Sequence, residues 1–186
     1  MKINKFKKNF NDSITGELAL FLEINEELGF ENYSQGFGLL RDDKSGIATW
    51  SKDPDFLDKL MPFAQANCSG SMYVLWNNGE NKSLNELPVV VFGDEGGYHV
   101  VAKNIFELMQ LLTFDTEITV SHKEVYFYKD NDYEESEGLA EYKLWLKENF
   151  NQDPVYTTDE TYSILENAQK MYKTDFEKWV SQYYSE

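Results

Sequence analysis

The sequence predicts an α+β protein: a mainly antiparallel sheet flanked by helices, with a helical C-terminal extension. Two observations carry that reading. Short runs rich in β-branched and aromatic residues, such as "MYVLW" and "VVVF…YHVVA", crowd the middle of the chain and are separated by Gly, Asn and Asp. Apolar residues at helical spacing stand before these runs, directly after them and again toward the end. With 186 residues, 41% apolar and 16% aromatic, the chain fits one folded domain with a substantial core.

The elements follow in order. Residues 13–28 read as a helix, with Leu18, Leu20, Phe21, Leu22, Ile24 and Leu28 mostly on one side and Gly29 as its stop. In residues 36–50, "GFGLL" and "GIATW" flank the turn "RDDKSG", which predicts a hairpin. A short helical turn is expected over 55–60, just after Pro54. The turn "NCSG" separates a short run at 63–66 from a strand at 72–76. Pro88 lacks a ladder donor and suits the first residue of a strand, which runs over 89–92. The loop "GDEGG" leads into a second strand at 98–102, so it reads as a hairpin turn whose Gly93, Gly96 and Gly97 supply positive φ angles. Asn104 is placed to cap the next helix, with Glu107 as its reciprocal partner and Ile105, Leu108, Met109, Leu111 and Leu112 as its buried stripe. A strand at 125–128 precedes a very acidic loop, and "GLAEYKLWLKENF" reads as a helix ending before Pro154. Thr157 and Glu160 form a capping box for the last helix. There Tyr162, Leu165, Tyr172, Phe176, Trp179 and Tyr183 recur near helical spacing and are expected to be buried. Residues 1–150 are thus expected to form one α+β domain, with 151–186 a helical extension packed on it.

The run "LMPFAQANCSGSMYVLWNN…ELPVVVFGDEGGYHVVAKNIFELMQLL" resembles the SUKH superfamily, in which a strand–turn–strand leads through a "P-V-V" strand and a glycine turn to a returning strand and a helix. Phe63, Ala64, Gly70, Trp76, Pro88, Val89, Gly93 and Ala102 match that course, and "EYKLWLKENF" is similar to the helix that follows in bacterial members. The resemblance covers roughly residues 55–150; upstream, "ELGFENYSQGFGLL" departs from the family's usual start. It implies a non-catalytic binding module. Bacterial members of the family include immunity proteins that neutralise secreted toxins, often nucleases, and others are intracellular regulators or scaffolds. The resemblance carries no catalytic residues over to this chain.

Charge points the same way. The formal net charge is −16, and it is uneven: Lys2, Lys5, Lys7 and Lys8 make a basic start, while residues 9–186 hold 13 basic against 33 acidic side chains, or −20. Such a body repels nucleic acid and attracts a basic protein. No stretch approaches the roughly 18–20 apolar residues of a membrane-spanning helix. "MKINKFKKNF" lacks the apolar core of a secretory signal, and the single cysteine, Cys68, forms no internal disulfide, so a cytoplasmic location is expected.

Few of the chain's motifs have the residue types that catalysis or metal binding requires. "GDEGG" lacks the lysine and hydroxyl of a phosphate-binding loop and enters a strand rather than a helix. Glu135 stands where an EF-hand loop beginning at Asp130 needs glycine. Cys68 with His99 or His122 has the residue types of a nucleophile and base, but nothing beside Cys68 favours the thiolate. One cysteine and two histidines do not make a zinc site, and no cofactor is expected. The remaining candidate is a partner-binding surface: Asp94 and Glu95 at the hairpin tip, with the acidic-aromatic set Tyr126, Tyr128, Asp130, Asp132, Tyr133, Glu134 and Glu135. The simpler reading of each residue is a solvated loop. The expected function is an immunity protein binding a basic toxin, a nuclease for example; the alternative is a regulatory or scaffolding module with no toxin partner.

Overall fold

Strands form where the sequence is densest in Val, Leu and aromatics. In the computed structural model, which describes residues 14, 16–40, 44–80 and 82–184, five strands make one antiparallel meander. They are β1 (Gly38–Leu39), β2 (Leu60–Gln65), β3 (Met72–Trp76), β4 (Val89–Phe92) and β5 (Tyr98–Ala102), adjacent in chain order. The register lines up residues of like facing: Val74 opposes Val90, which opposes Val100, and Tyr73 opposes Val91, which opposes His99. Successive residues point to opposite faces. Tyr73, Leu75, Val89, Val91 and Val101 therefore enter one core, and Val74, Trp76, Val90, Phe92 and Val100 enter another. Both sets are buried, each side chain contributing about 1.5–3 kcal/mol of transfer free energy.

The helices are α1 (Glu17–Leu28), α2 (Pro54–Lys59), α3 (Ile105–Leu112), α4 (Leu139–Phe150) and α5 (Thr158–Val180). α1, α3 and α4 cover the first face, together with a two-stranded ribbon, β6 (Ile118–Val120) and β7 (Val125–Phe127). α5 lies along the second face and places Ala168, Tyr172, Phe176 and Val180 against the sheet, with Phe56 of α2 and Ile47 beside them. The chain is α+β, as the sequence predicts. Asn104 caps α3 as expected, its Oδ1 accepting from the Glu107 amide at 3.0 Å. The Glu107 carboxylate, however, accepts from the Lys103 amide at 2.9 Å rather than from Asn104, so the reciprocal half is displaced by one residue. The Thr157 box forms in full. Thr157 Oγ1 accepts from the Glu160 amide at 3.2 Å, while the Glu160 carboxylate accepts from the Thr157 amide at 2.9 Å.

Several expectations fail for identifiable reasons. The hairpin predicted over 36–50 does not form. Its first arm is β1, which pairs with β2 through Gly38 and Gln65. Its second arm is a 3₁₀ turn, Ile47–Thr49, in which both the amide and the hydroxyl of Thr49 donate to the Gly46 carbonyl and Ile47 is buried under the second face. The intervening Arg41, Asp42 and Asp43 lie outside the described residues. Helix α1 begins at Glu17, because Gly16 takes φ 62° and stands outside the helix; Ser13 and Thr15 are outside the described residues. β2 starts at Leu60, directly from α2, and β6 was not expected. On α5 the buried stripe is Thr161, Leu165, Ala168, Tyr172, Phe176 and Val180. Tyr162, one residue and about 100° off that stripe, is 43% exposed.

That difference sets a test. Phe176→Ala should lower the unfolding free energy by about 3–5 kcal/mol, and Tyr162→Ala should change it by no more than about 0.5 kcal/mol, both by denaturant unfolding. Equal effects would contradict this placement of α5.

Candidate functional site

The acidic loop between β7 and α4 is braced by one buried carboxylate that the sequence did not single out. Asp115 follows α3 in the left-handed conformation (φ 57°) and is fully buried. Its Oδ1 accepts from the Gln35 amide at 3.1 Å and the Ser136 hydroxyl at 2.7 Å. Its Oδ2 accepts from the Tyr133 hydroxyl at 2.7 Å and the Ser136 amide at 2.8 Å. Four donors on two oxygens offset the desolvation of a buried charge. Lys129 adds to the arrangement, its ammonium 3.7 Å from the Tyr133 ring centroid and 4.8 Å from that of Phe114. Burial lowers the Lys129 pKa, with the Asp115 charge opposing. Burial, the hydrogen bond to Asp115 and its charge all raise that of Tyr133.

Backbone contacts complete the brace. Gln35 Nε2 donates to the Glu134 carbonyl at 2.9 Å, Thr116 Oγ1 to the Tyr128 carbonyl at 2.7 Å, and the Gly138 amide to the Asn32 carbonyl at 2.7 Å. The loop's main chain is therefore tied down while Asp130, Asp132, Glu134 and Glu135 remain exposed, with Tyr128 61% exposed beside them. Two members of the predicted surface belong elsewhere. Tyr133 is turned onto Asp115, and Tyr126 is half-buried in β7 opposite Thr119.

The hairpin tip is a second, separate region. The Gly93 amide donates to the Gly97 carbonyl at 2.9 Å and closes the turn. Gly96 and Gly97 have φ 98° and 83°, as the sequence suggests. Gly93 does not have a positive φ; it is needed because a Cβ there would lie 2.4 Å from the Gly96 carbonyl oxygen. Asp94 is a brace: its Oδ1 accepts from the hydroxyls of Ser69 and Ser71, both at 2.8 Å, and its amide donates to Ser71 Oγ at 3.2 Å. Partial burial pushes its pKa up, but the hydroxyls of Ser71 and Ser69 together with the Asp94 and Glu95 amides outweigh this and hold it below the usual value. Glu95 is exposed at the tip. No hydrogen bond among the described residues joins the tip to the 128–135 loop.

Between β2 and β3, the turn at 67–71 is organised by Asn67, whose Oδ1 accepts from the Gly70 and Ser71 amides at 3.1 and 2.9 Å. Cys68 is exposed there, its amide 3.4 Å from Glu117 Oε2 and its thiol donating to Glu31 Oε1 at 3.0 Å. Glu117 and then Glu31 push the thiol up to about 12, so it stays protonated and is a poor nucleophile. Glu31 and Glu117, neither predicted as site residues, extend the negative surface from Asp94 and Glu95 around this turn. His99 Nε2 lies 2.7 Å from the Ser121 carbonyl, to which it donates. Among the described residues no group of three or more His, Cys, Asp or Glu side chains could hold a metal ion, and no helix is long and apolar enough to cross a membrane. In comparisons with known proteins, the chain matches no family model, no curated protein and no solved structure.

The brace is directly testable. Asp115→Ala should cost about 2–4 kcal/mol and remove the hydrogen-exchange protection of the Gln35 and Ser136 amides. Undiminished protection of both would show that the loop is held by something else.

Proposed function

We propose that this chain is a non-catalytic binding protein, an immunity protein that neutralises a basic toxin in the cytoplasm, with the exposed carboxylates of the 128–135 loop as its principal contact. The observation that carries this reading is the Asp115 brace. It fixes the main chain of the loop, so Tyr128, Asp130, Asp132, Glu134 and Glu135 are presented with little ordering entropy left to lose on association. The charge of −20 over residues 9–186 and the resemblance of residues 55–150 to the SUKH superfamily support the same reading.

A nuclease has to present cations where phosphate binds. Four carboxylates on a braced loop would meet those cations, each close pair contributing from about 1 kcal/mol in water to about 4 kcal/mol where solvent is partly excluded. The acidic rim of Glu31, Glu117 and Glu95 would add to the long-range attraction and so to the encounter rate. Tyr128 supplies rigid contact area beside the charges.

The test is titration calorimetry against the toxin domain encoded by the adjacent upstream gene, repeated across a salt series. Association that weakens at least about tenfold between low and high salt, weakens further in Glu134→Lys/Glu135→Lys, and abolishes the toxic activity is the expected result. Full toxin activity in the presence of saturating protein would sink the immunity reading. Tight, salt-insensitive binding to a neutral cellular partner would favour a regulatory module instead.

A further inference from the structure

The chain's few cations are not evenly spread. A groove of about 470 Å³ runs between the C-terminal half of α5, the start of β5 and the turn joining β6 to β7. Lys123, Lys173 and Lys178 line it, together with His99 and His122, the only two histidines of the chain. Three of the twelve lysines among the described residues therefore converge on one groove of a strongly acidic protein.

Of the nine described lysines elsewhere, four are matched to carboxylates: Lys82 with Glu80, Lys103 with Glu107 at 2.7 Å, Lys147 with Asp153 at 2.7 Å, and Lys170 with Glu166 at 3.8 Å. In the groove only Lys173 has such a partner, the exposed Glu177 at 3.7 Å. Lys123 and Lys178 form no ion pair among the described residues. Lys178 is partly accounted for by its place in the last turn of α5, where a cation meets unpaired carbonyls. Lys123, on the ribbon turn, and Lys173, more than a turn earlier, have no such role. Three ammonium groups against one carboxylate leave the groove locally positive. The negative charge on the rest of the body is screened over about 8 Å at physiological ionic strength, so a bound anion would feel mainly these lysines.

A second groove of about 430 Å³ adjoins the first, with His122 in the wall of both. Its lining is mixed: the apolar and aromatic side chains of Trp50, Met72, Phe92 and Tyr184 share it with two carboxylates, Asp94 and Glu95. Trp50 and Tyr184 pack at 4.9 Å between ring centroids and are only half-buried, which leaves ring surface open to a planar ligand. Each groove is within the size range of small-molecule sites.

We propose that the lysine groove binds a phosphoryl group, with Lys123, Lys173 and Lys178 as its point-charge donors, and that the adjoining aromatic groove receives the ring of a nucleotide-sized bearer of that group. This does not depend on the toxin reading, because it uses the cationic rather than the acidic surface. The balance of charge suits a phosphate dianion held by ammonium donors.

The test is an amide and indole NMR titration of the full chain at physiological salt with three probes: pyrophosphate, ADP and adenosine. Pyrophosphate and ADP should both shift the Lys123, Lys173 and Lys178 amides saturably, and adenosine should not. ADP binding at least about fivefold tighter, with a shift of the Trp50 indole, is the expected result and identifies the ring-bearing source. Equal affinity for ADP and pyrophosphate with an unmoved Trp50 indole would retain the phosphoryl site, assign it to free polyphosphate and overturn the ring site. Lys123→Glu/Lys173→Glu should weaken binding at least about tenfold with its thermal unfolding unchanged, while Lys147→Glu, on α4, should bind as the parent does. Absence of saturable shifts through the millimolar range, or undiminished binding by the double variant, would overturn the proposal.

Discussion

Strand β4 is buried on both sides: Val89 and Val91 pack into one core while Val90 and Phe92 pack into the other. Four consecutive apolar residues leave no face of the strand for water, and β3 beside it repeats the pattern with Tyr73 and Leu75 against Val74 and Trp76. A sheet of this kind has to carry a layer on each side. α1, α3 and α4 form one layer. The other is chiefly α5, whose Phe176 ring lies 5.0 Å from Trp76 and 6.1 Å from Phe92. The last helix is therefore the main cover of the sheet's second face rather than trim upon it.

Both candidate surfaces are consequences of that layering. On the first face, α3 packs against the sheet through Ile105, Leu108 and Met109, and the chain leaves it at Asp115, already beneath the surface. A carboxylate stranded there needs donors, and it draws in Gln35, Tyr133 and Ser136 from two other loops. The acidic loop is ordered because a buried charge has to be satisfied. On the second face, docking α5 on β5 brings Lys173 and Lys178 opposite the ribbon turn that carries Lys123. An acidic surface and a basic groove thus sit on one fold, each positioned by a helix that the sheet requires.

Much of the fold is legible in the sequence because its signals are local. The hairpin from 89 to 102 announces itself by two β-branched runs around "GDEGG", and the caps at Asn104 and Thr157 depend on partners three residues away. What fails is decided over longer distances. "GIATW" is as apolar as a strand, yet Ile47 is drawn under the second face and the segment closes as a 3₁₀ turn. Asp94 and Tyr133 are surface residue types, but their partners Ser69, Ser71 and Asp115 stand 18 to 25 residues away and convert them into braces. Asp115 itself gives no signal beyond an aspartate just past a helix end. Of the predicted contact surface, Glu95, Tyr128, Asp130, Asp132, Glu134 and Glu135 are exposed, as their local composition suggests.

The claim on which all of this rests is that the sheet and α5 form one cooperative unit. Native-state hydrogen exchange of the full chain measures that most directly. The account predicts that amides of Val74, Val90 and Val100 in the sheet and of residues 172–180 in α5 exchange only through the same global opening, with matching free energies. Exchange of the α5 amides through a separate opening, several kcal/mol less costly than that of the sheet, would contradict it and would leave the second face of the sheet without the layer that its sequence demands.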